Sequence, residues 1–270
     1  MNTAANLLYL DTALALAHSA GALLMQGAHA RQPAQSKSVS TDLVTKYDRA
    51  AEELIVAGLR ARHPDHRILA EESGDRGGDA HAPRWIIDPL DGTTNFAHGL
   101  PWFSVSIACE VDDELAVGVV AAPALGLVFA AARGQGARRN GEPIRVSAVD
   151  ALDSALLVTG FPYDRRTARE NNFAQFVALK KKAQGIRRFG SAALDLAFTA
   201  AGSFDGYWEM RLSPWDIAAG ILIVQEAGGT VTDWRGDPVS LARCEVLATN
   251  GQIHGAVSAV LASTPHGQLT

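Results

Sequence analysis

Residues 85–96 read Trp85-Ile86-Ile87-Asp88-Pro89-Leu90-Asp91-Gly92-Thr93-Thr94-Asn95-Phe96. Three apolar residues run straight into Asp88, the pattern of a short buried strand. Pro89 has no N–H, so ladder bonding is expected to stop there and to leave Asp88 and Asp91 on a turn. Gly92 permits an unusual backbone angle, and Thr93 or Thr94 can cap a helix that begins there. Two carboxylates and a hydroxyl are therefore expected where helix N–H groups face an incoming anion. A strand that carries acids to a sheet edge and hands over to a helix marks an α/β protein, in which ligands bind at such edges.

The neighbouring segments repeat the theme. Arg67–Ala70 is a second short apolar run and ends in Glu71 and Glu72, with a Gly/Asp-rich loop over 74–79 between the two strands. Upstream, apolar residues at helical spacing predict a core-facing amphipathic helix over about residues 3–30. A Pro/Ser/Gln-rich loop follows over 32–40, then a helix from Asp42 to His63 with Ala50, Leu54, Ile55 and Leu59 as its stripe, stopped by Pro64. Downstream, 103–131 alternates as a meander broken at Asp112–Asp113 and at Pro123–Gly126, and Asn140–Gly141 predicts a tight turn. Helices are expected at 167–184, 190–201, 214–227 and 251–262, with strands at 204–209, 230–232 and 246–249. No internal repeat, low-complexity tract or long linker divides the chain. One mixed α/β domain over 1–270, built of layered helices and sheets, is the expected architecture.

Composition narrows the function. The 270 residues carry 24 Lys and Arg against 29 Asp and Glu, a formal net charge of −5, which argues against generic nucleic-acid binding. An acidic protein still binds phosphate when divalent cations invert the local sign. Cys109 and Cys244 are isolated from each other, which suits a reducing compartment and argues against a disulfide framework or a structural zinc. The N-terminus has no basic leader, and Asp11 and His18 interrupt its apolar run. With no charge-free stretch of about 18 residues, a cytoplasmic protein without a membrane span is expected.

Clustered oxygens suit a hard cation: Mg²⁺ takes carboxylates, carbonyls and water. Glu71 and Glu72 add to Asp88 and Asp91, and Asp216 in Ser213-Pro214-Trp215-Asp216 adds a further acid in the first turn of a helix. On spacing alone these residues read equally as a strand-to-helix turn, a charge on a helix dipole and a loop. No Ser-His-Asp order is evident, and Ser191 lacks the strand-elbow context of a nucleophile. His63, His66 and His98 read as surface or capping residues, since such a site does not need imidazole.

The chain resembles the inositol monophosphatase family over essentially its whole length. The similarity is carried by DLVTKYD (42–48), LAEESG (69–74), WIIDPLDGTTNFAHGLP (85–101), GFPYD (160–164), RRFGSAALDLAFTAAGSFDGYWEM (187–210), PWDIAAG (214–220) and EAGG (226–229). It implies a layered αβαβα sandwich of the inositol monophosphatase and fructose-1,6-bisphosphatase type, a homodimer, and Li⁺ sensitivity. It implies a first Mg²⁺ on Glu71, Asp88 and the Leu90 carbonyl, a second on Asp88, Asp91 and Asp216, and a looser third near Glu71. Thr93, oriented by Asp48, would position and deprotonate the attacking water, and backbone N–H groups around Gly92 and Thr93 would hold the phosphate.

For the alcohol, the resemblance assigns Glu209 to the hydroxyls, Ala192 to the pocket wall and Asp91 beside them. Together they imply a polyol monophosphate such as myo-inositol 1-phosphate. Relatives with the same chemistry act on fructose 1,6-bisphosphate, histidinol phosphate, NADP or 3′-phosphoadenosine 5′-phosphate, and a regulatory partner-binding role on the same fold is the reading from another class. No extended basic pocket for a second phosphate is evident. Lys180–Lys182 reads as a solvated face, while Arg165–Arg166 and Arg187–Arg188 read as a pocket entrance or a dimer contact. Two departures stand out: Tyr47 beside Asp48, where animal relatives carry a small residue, and the GFPYD segment, which resembles bacterial members.

Overall fold

The computed structural model describes residues 3–37 and 39–266; Ser38, within the predicted 32–40 loop, lies outside the described residues. In chain order the elements are α1 (Thr3–Met25), β1 (Gln35–Ser36), β2 (Leu43–Val44), α2 (Lys46–Arg62), β3 (Arg67–Ala70), β4 (Gly74–Asp75) and β5 (Arg84–Asp91). Then come α3 (Thr93–Ala97), β6 (Ser104–Val111), β7 (Glu114–Ala122), β8 (Leu127–Ala132), β9 (Ala137–Arg139) and β10 (Glu142–Pro143). The second half holds β11 (Leu156–Thr159), α4 (Phe173–Lys180), β12 (Gly185–Arg187), α5 (Ala192–Ala200), β13 (Gly206–Glu209), α6 (Pro214–Glu226), β14 (Thr230–Thr232), β15 (Val246–Thr249) and α7 (His254–Ser263).

An eight-stranded sheet runs β10-β9-β8-β7-β6-β5-β3-β4, antiparallel except for β3 with β5, and a five-stranded mixed sheet runs β12-β11-β13-β15-β14. Helices α1 and α2 cover one face of the larger sheet, burying Leu16, Leu24, Ile55 and Leu59 with Ile87 and Val119. On its other face lie α5 and α6, whose Leu196, Ile221 and Ile223 share a core with Ile86 and Phe129 and with Tyr207 and Ala248 of the smaller sheet. Helices α4 and α7 close the far side through Leu179, Val257 and Leu261 against Trp208 and Leu247. The stack is therefore αβαβα, each sheet apolar on both faces because helices cover both.

Several expectations change. The first helix ends at Met25, and it is not amphipathic in the simple sense: Ala13, Leu16, Ala17, Ala20 and Leu24 form the buried stripe, yet Leu7 and Leu8 lie exposed on the other side. It is long and apolar enough to cross a bilayer by composition, but that stripe is packed against α2 and the large sheet. The loop at 32–40 contains β1, which pairs with Leu43 and Val44, so the second helix starts at Lys46 with Thr45 as its cap. The helix expected at 167–184 is only α4; Asn172, with its side chain bonded to Thr159, Gly160 and Trp208, holds the preceding loop to the strands instead. Strands β11 and β12 went unpredicted, being only four and three residues long, too short for a period to register. Asp112–Asp113 and Asn140–Gly141 do form positive-φ hairpin turns.

Candidate active site

The quoted stretch departs from its expected form at Pro89. Strand β5 does not stop there; Asp88 pairs with Ser106 and Asp91 with Ser104, so three steps on β5 oppose two on β6 across a bulge. A proline without an N–H is tolerated at such a slip, where a ladder bond is already missing. The extra residue leaves both aspartates on the face that looks toward α5 and α6. Gly92 follows at φ 90°, a left-handed angle, and a Cβ there would come within 2.9 Å of the Trp102 carbonyl. It, rather than Thr93 or Thr94, is the N-cap of α3.

Thr93 has a different partner. Its Oγ1 lies 3.0 Å from both Asp48 Oδ1 and the Leu90 carbonyl, sharing one proton between them. Asp48 is fully buried, and its other oxygen accepts from the Thr45 N–H and hydroxyl at 2.7 and 2.6 Å. Burial raises the Asp48 pKa, while the Thr45 and Thr93 bonds oppose that rise. The Tyr47 N–H donates to Thr45 Oγ1 at 3.1 Å, while its ring stays clear of this network and packs edge-on against Phe96.

Asp91 Oδ2 accepts from the Ser191 hydroxyl at 2.6 Å and the Ala193 N–H at 2.8 Å, which joins β5 to the start of α5. Ser191 thus serves as an orienting donor and not a nucleophile. Asp88 Oδ1 accepts from the Leu90 N–H, and Asp216, at the start of α6, accepts from the Ser213 N–H. Burial, followed by repulsion from Glu71, Asp91 and Asp216, holds Asp88 well above the ordinary carboxylate range. Asp216 is raised by burial and then by Asp91 and Glu71. Asp91 is pushed up to about 6 by burial, against the pull of its Ser191 and Ala193 donors.

Glu71 is raised to about 7, again chiefly by burial and despite Lys37, whose Nζ donates to Glu71 Oε1 at 2.8 Å and also to Glu72. Sequence reasoning missed Lys37, which sits in a polar loop with no periodicity to single it out. Among the described residues no three acids, imidazoles or thiols close around one point as ligands would. The donor set nevertheless fits a hard divalent cation: four carboxyl groups gathered against their mutual repulsion, with no soft ligand among them, are relieved by bound positive charge.

The acids open into a cleft of about 110 Å³ lined by Asp91, Tyr163, Arg188, Ala192, Glu209 and Asp216. Glu209 ends β13 and is buried, not a surface carboxylate; the Tyr207 hydroxyl donates to it at 2.8 Å. Burial raises it to about 7, with Tyr207 and Arg188 opposing. A larger hollow near Gln32, Val44, Lys46 and Arg49 contains no carboxylate to do this chemistry. The structure thus brings Asp91, Ala192, Glu209 and Asp216 into one cleft, with Asp88, Glu71, Thr93 and Asp48 extending behind Asp91.

The histidines split. His63 caps α2 and His98 caps α3, as expected. His66 does neither: it stacks on His63 at 4.7 Å and accepts from the Trp85 Nε1–H at 3.0 Å within an aromatic cluster that includes Tyr9.

The family model described as the inositol monophosphatase family matches residues 7–266. The chain belongs to that family. It is 50% identical over 234 residues to an inositol-1-monophosphatase of Synechocystis, covering 87% of this chain and 82% of that one. It is 45% identical over 246 residues to the Nus factor SuhB of Pseudomonas aeruginosa, covering 89% and 91%. An inositol monophosphatase structure from Anabaena superposes with a TM-score of 0.87 at 44% identity, covering 96% of each chain. Inositol monophosphatases are generally metal-dependent, and this member is a phosphomonoesterase.

Proposed function

We propose that this enzyme hydrolyses myo-inositol 1-phosphate, or a closely similar polyol monophosphate, with two or three Mg²⁺ ions per subunit. The observation that supports this reading is the meeting of Asp91, Asp216 and Glu209 in one cleft, with Glu71 and Asp88 close behind them. Glu71, Asp88, Asp91, Asp216 and the Leu90 carbonyl would hold the ions. When bound, they supply charge neutralisation on the phosphate and the leaving alkoxide and lower the pKa of water.

The chain's own groups then have defined tasks. Asp48 accepts the Thr93 proton, which leaves a lone pair on Thr93 Oγ1 turned toward the attacking water. Thr93 takes a proton from that water as its own passes to Asp48, while Glu71 accepts a second hydrogen bond from the same water. Backbone N–H groups of Gly92 and Thr93 hold the phosphoryl oxygens. Glu209, fixed by Tyr207, and Asp91 accept hydrogen bonds from ring hydroxyls, and Ala192 leaves room for the ring. The protein works as a cytoplasmic homodimer of single-domain subunits, with Li⁺ as an inhibitor.

Phosphate release from myo-inositol 1-phosphate, fructose 1,6-bisphosphate, histidinol phosphate, NADP and 3′-phosphoadenosine 5′-phosphate tests the reading, each with Mg²⁺, with EDTA, and with Mg²⁺ plus Li⁺. Mg²⁺-dependent, Li⁺-sensitive preference for the inositol ester is the expected result. Preference for another ester keeps the chemistry and discards the substrate. A second reading, a regulatory protein that engages a partner, draws on the SuhB relatives named as Nus factors. It takes first place if folded protein with Mg²⁺ hydrolyses none of the five.

A further inference from the structure

Glu71 stands on a turn that the sheet itself holds weakly. Strand β3 ends at Ala70 and passes through residues 71–73 into β4, a two-residue strand at the edge of the large sheet that pairs Gly74 with Ala70. The Glu71 N–H makes the last bond to β5, 3.2 Å from the Ile87 carbonyl. The next backbone donor, the Glu72 N–H, has an acceptor from outside the sheet: Glu52 Oε2, at 2.7 Å.

Glu52 lies on α2 one turn after Asp48, so the two acids share a face of that helix. Asp48 is fully buried and Glu52 is 5% exposed. Asp48 accepts from Thr93, and Glu52 accepts from the turn that carries Glu71 and Glu72. Among the described residues the Glu52 side chain makes no ion pair and no hydrogen bond besides the one to that amide. A buried carboxylate answered by one amide and no cation is costly to stability, and what it holds is a candidate ligand's backbone.

We infer that Glu52 is a positioning residue, which through the Glu72 N–H fixes the 71–73 turn to α2 and so sets where the Glu71 carboxylate stands for a divalent cation. Helix α2 is then one rigid mount for two arms of the site, Thr93 by way of Asp48 and Glu71 by way of Glu52. Side chains that ligate an ion must be held to within about 0.5 Å, and a turn secured only by a two-residue edge strand opens too readily for that. Lys37 is no substitute, because it bonds the Glu71 and Glu72 carboxylates and leaves their backbone free to shift with them. The inference rests on the metal-dependent reading for what Glu71 ligates, but the tie from Glu52 to Glu72 needs no metal.

Two substitutions separate reach from charge. Glu52→Gln keeps an oxygen at the same reach and loses the charge, whereas Glu52→Asp keeps the charge and is one methylene too short. The Kd for Mg²⁺ is measured by calorimetry on the full chain without substrate, and exchange of the Glu72 amide hydrogen is followed in EDTA. Glu52→Asp should raise the Kd about tenfold and speed the exchange, while Glu52→Gln stays within about twofold of the wild type in both. A near-normal Kd or unaltered exchange in Glu52→Asp overturns the inference. So does a loss in Glu52→Gln as large as that in Glu52→Asp, which would assign the effect to charge or to general loosening of the fold. Where Glu52→Asp does not fold, Glu52→Met, as long as glutamine but without an acceptor oxygen, takes its place with the same expectations. Wild-type protein that takes up no Mg²⁺ removes the metal reading, and the amide exchange then decides the tie by itself.

Discussion

At the scale of single residues, Asp91 is the carboxylate on which most of the site converges. It accepts from Ser191 and Ala193, repels Asp88 and Asp216, and lines the cleft. Asp91→Asn keeps the shape but removes one of the four carboxylate charges available to a cation. Turnover with Mg²⁺ should fall about 10³-fold or more while the melting temperature holds, because a metal ligand stabilises several kcal/mol of transition-state charge. Near-normal turnover would remove Asp91 from the ligand set. Gly160 offers a subtler probe, since a Cβ there would meet Glu209 Oε2 at 2.1 Å. Gly160→Ala should displace that carboxylate and raise KM for the polyol phosphate about tenfold with a smaller change in kcat; equal change in both constants would place Glu209 elsewhere in the cycle. Asp88, Asp91 and Asp216 could be picked out in the sequence because strand runs and a helix start point at them. Lys37 and Tyr207 could not: their roles exist only once a hairpin and a second sheet have carried them across the fold.

At the scale of elements, strong apolar periodicity located α2, α5, α6 and the β6–β8 meander, and boundary signals located their turns. What failed were ends decided by tertiary partners. Thr45 caps α2 because Leu43 and Val44 are drawn into a hairpin, and the stretch before α4 stays irregular because Asn172 binds the strands. His66 belongs here too, wedged between α1, the end of α2 and β5. Burial, with lesser help from His63, lowers its pKa to about 4, with Asp65 opposing. The neutral ring favoured by the fold must gain a proton on unfolding in mild acid, so its contribution is complete above pH 6.5 and is lost as pH falls toward about 4. The melting temperature should therefore drop over that window, and by less in His66→Gln, which cannot titrate. An identical acid profile for the variant would assign the drop to other groups.

For the molecule as a whole, layered helices and sheets followed from alternating helical and strand signals, whereas the αβαβα order and the roles of residues 71, 88, 91 and 216 as one site came through resemblance. The meeting of these acids has a thermodynamic sign. Glu71 and Glu209 sit near about 7 and Asp91 near about 6 in the folded protein, above their unfolded values of 4.5, 4.5 and 3.8. Their stabilising effect is full below the unfolded values and disappears as pH rises through the folded ones. Above pH 6.5 the His66 contribution is constant, so EDTA-treated protein should melt at progressively lower temperature between pH 6.5 and about 8. Added Mg²⁺ should restore more stability at the upper end, since ligands must be deprotonated. A Mg²⁺ effect that shrinks with rising pH would contradict the carboxylate site.

The bulge at Pro89 and Leu90 also has a consequence in parity. Residues three apart on a regular strand point to opposite sides, yet Asp88 and Asp91 share one because a supernumerary residue makes the odd count behave as even. Site and core are thus encoded by an off-by-one. Closing the bulge with every residue kept would set Asp91 opposite Phe103 instead of Ser104 and send that acid into the apolar layer beneath α1 and α2: the more regular strand would be the sterile one.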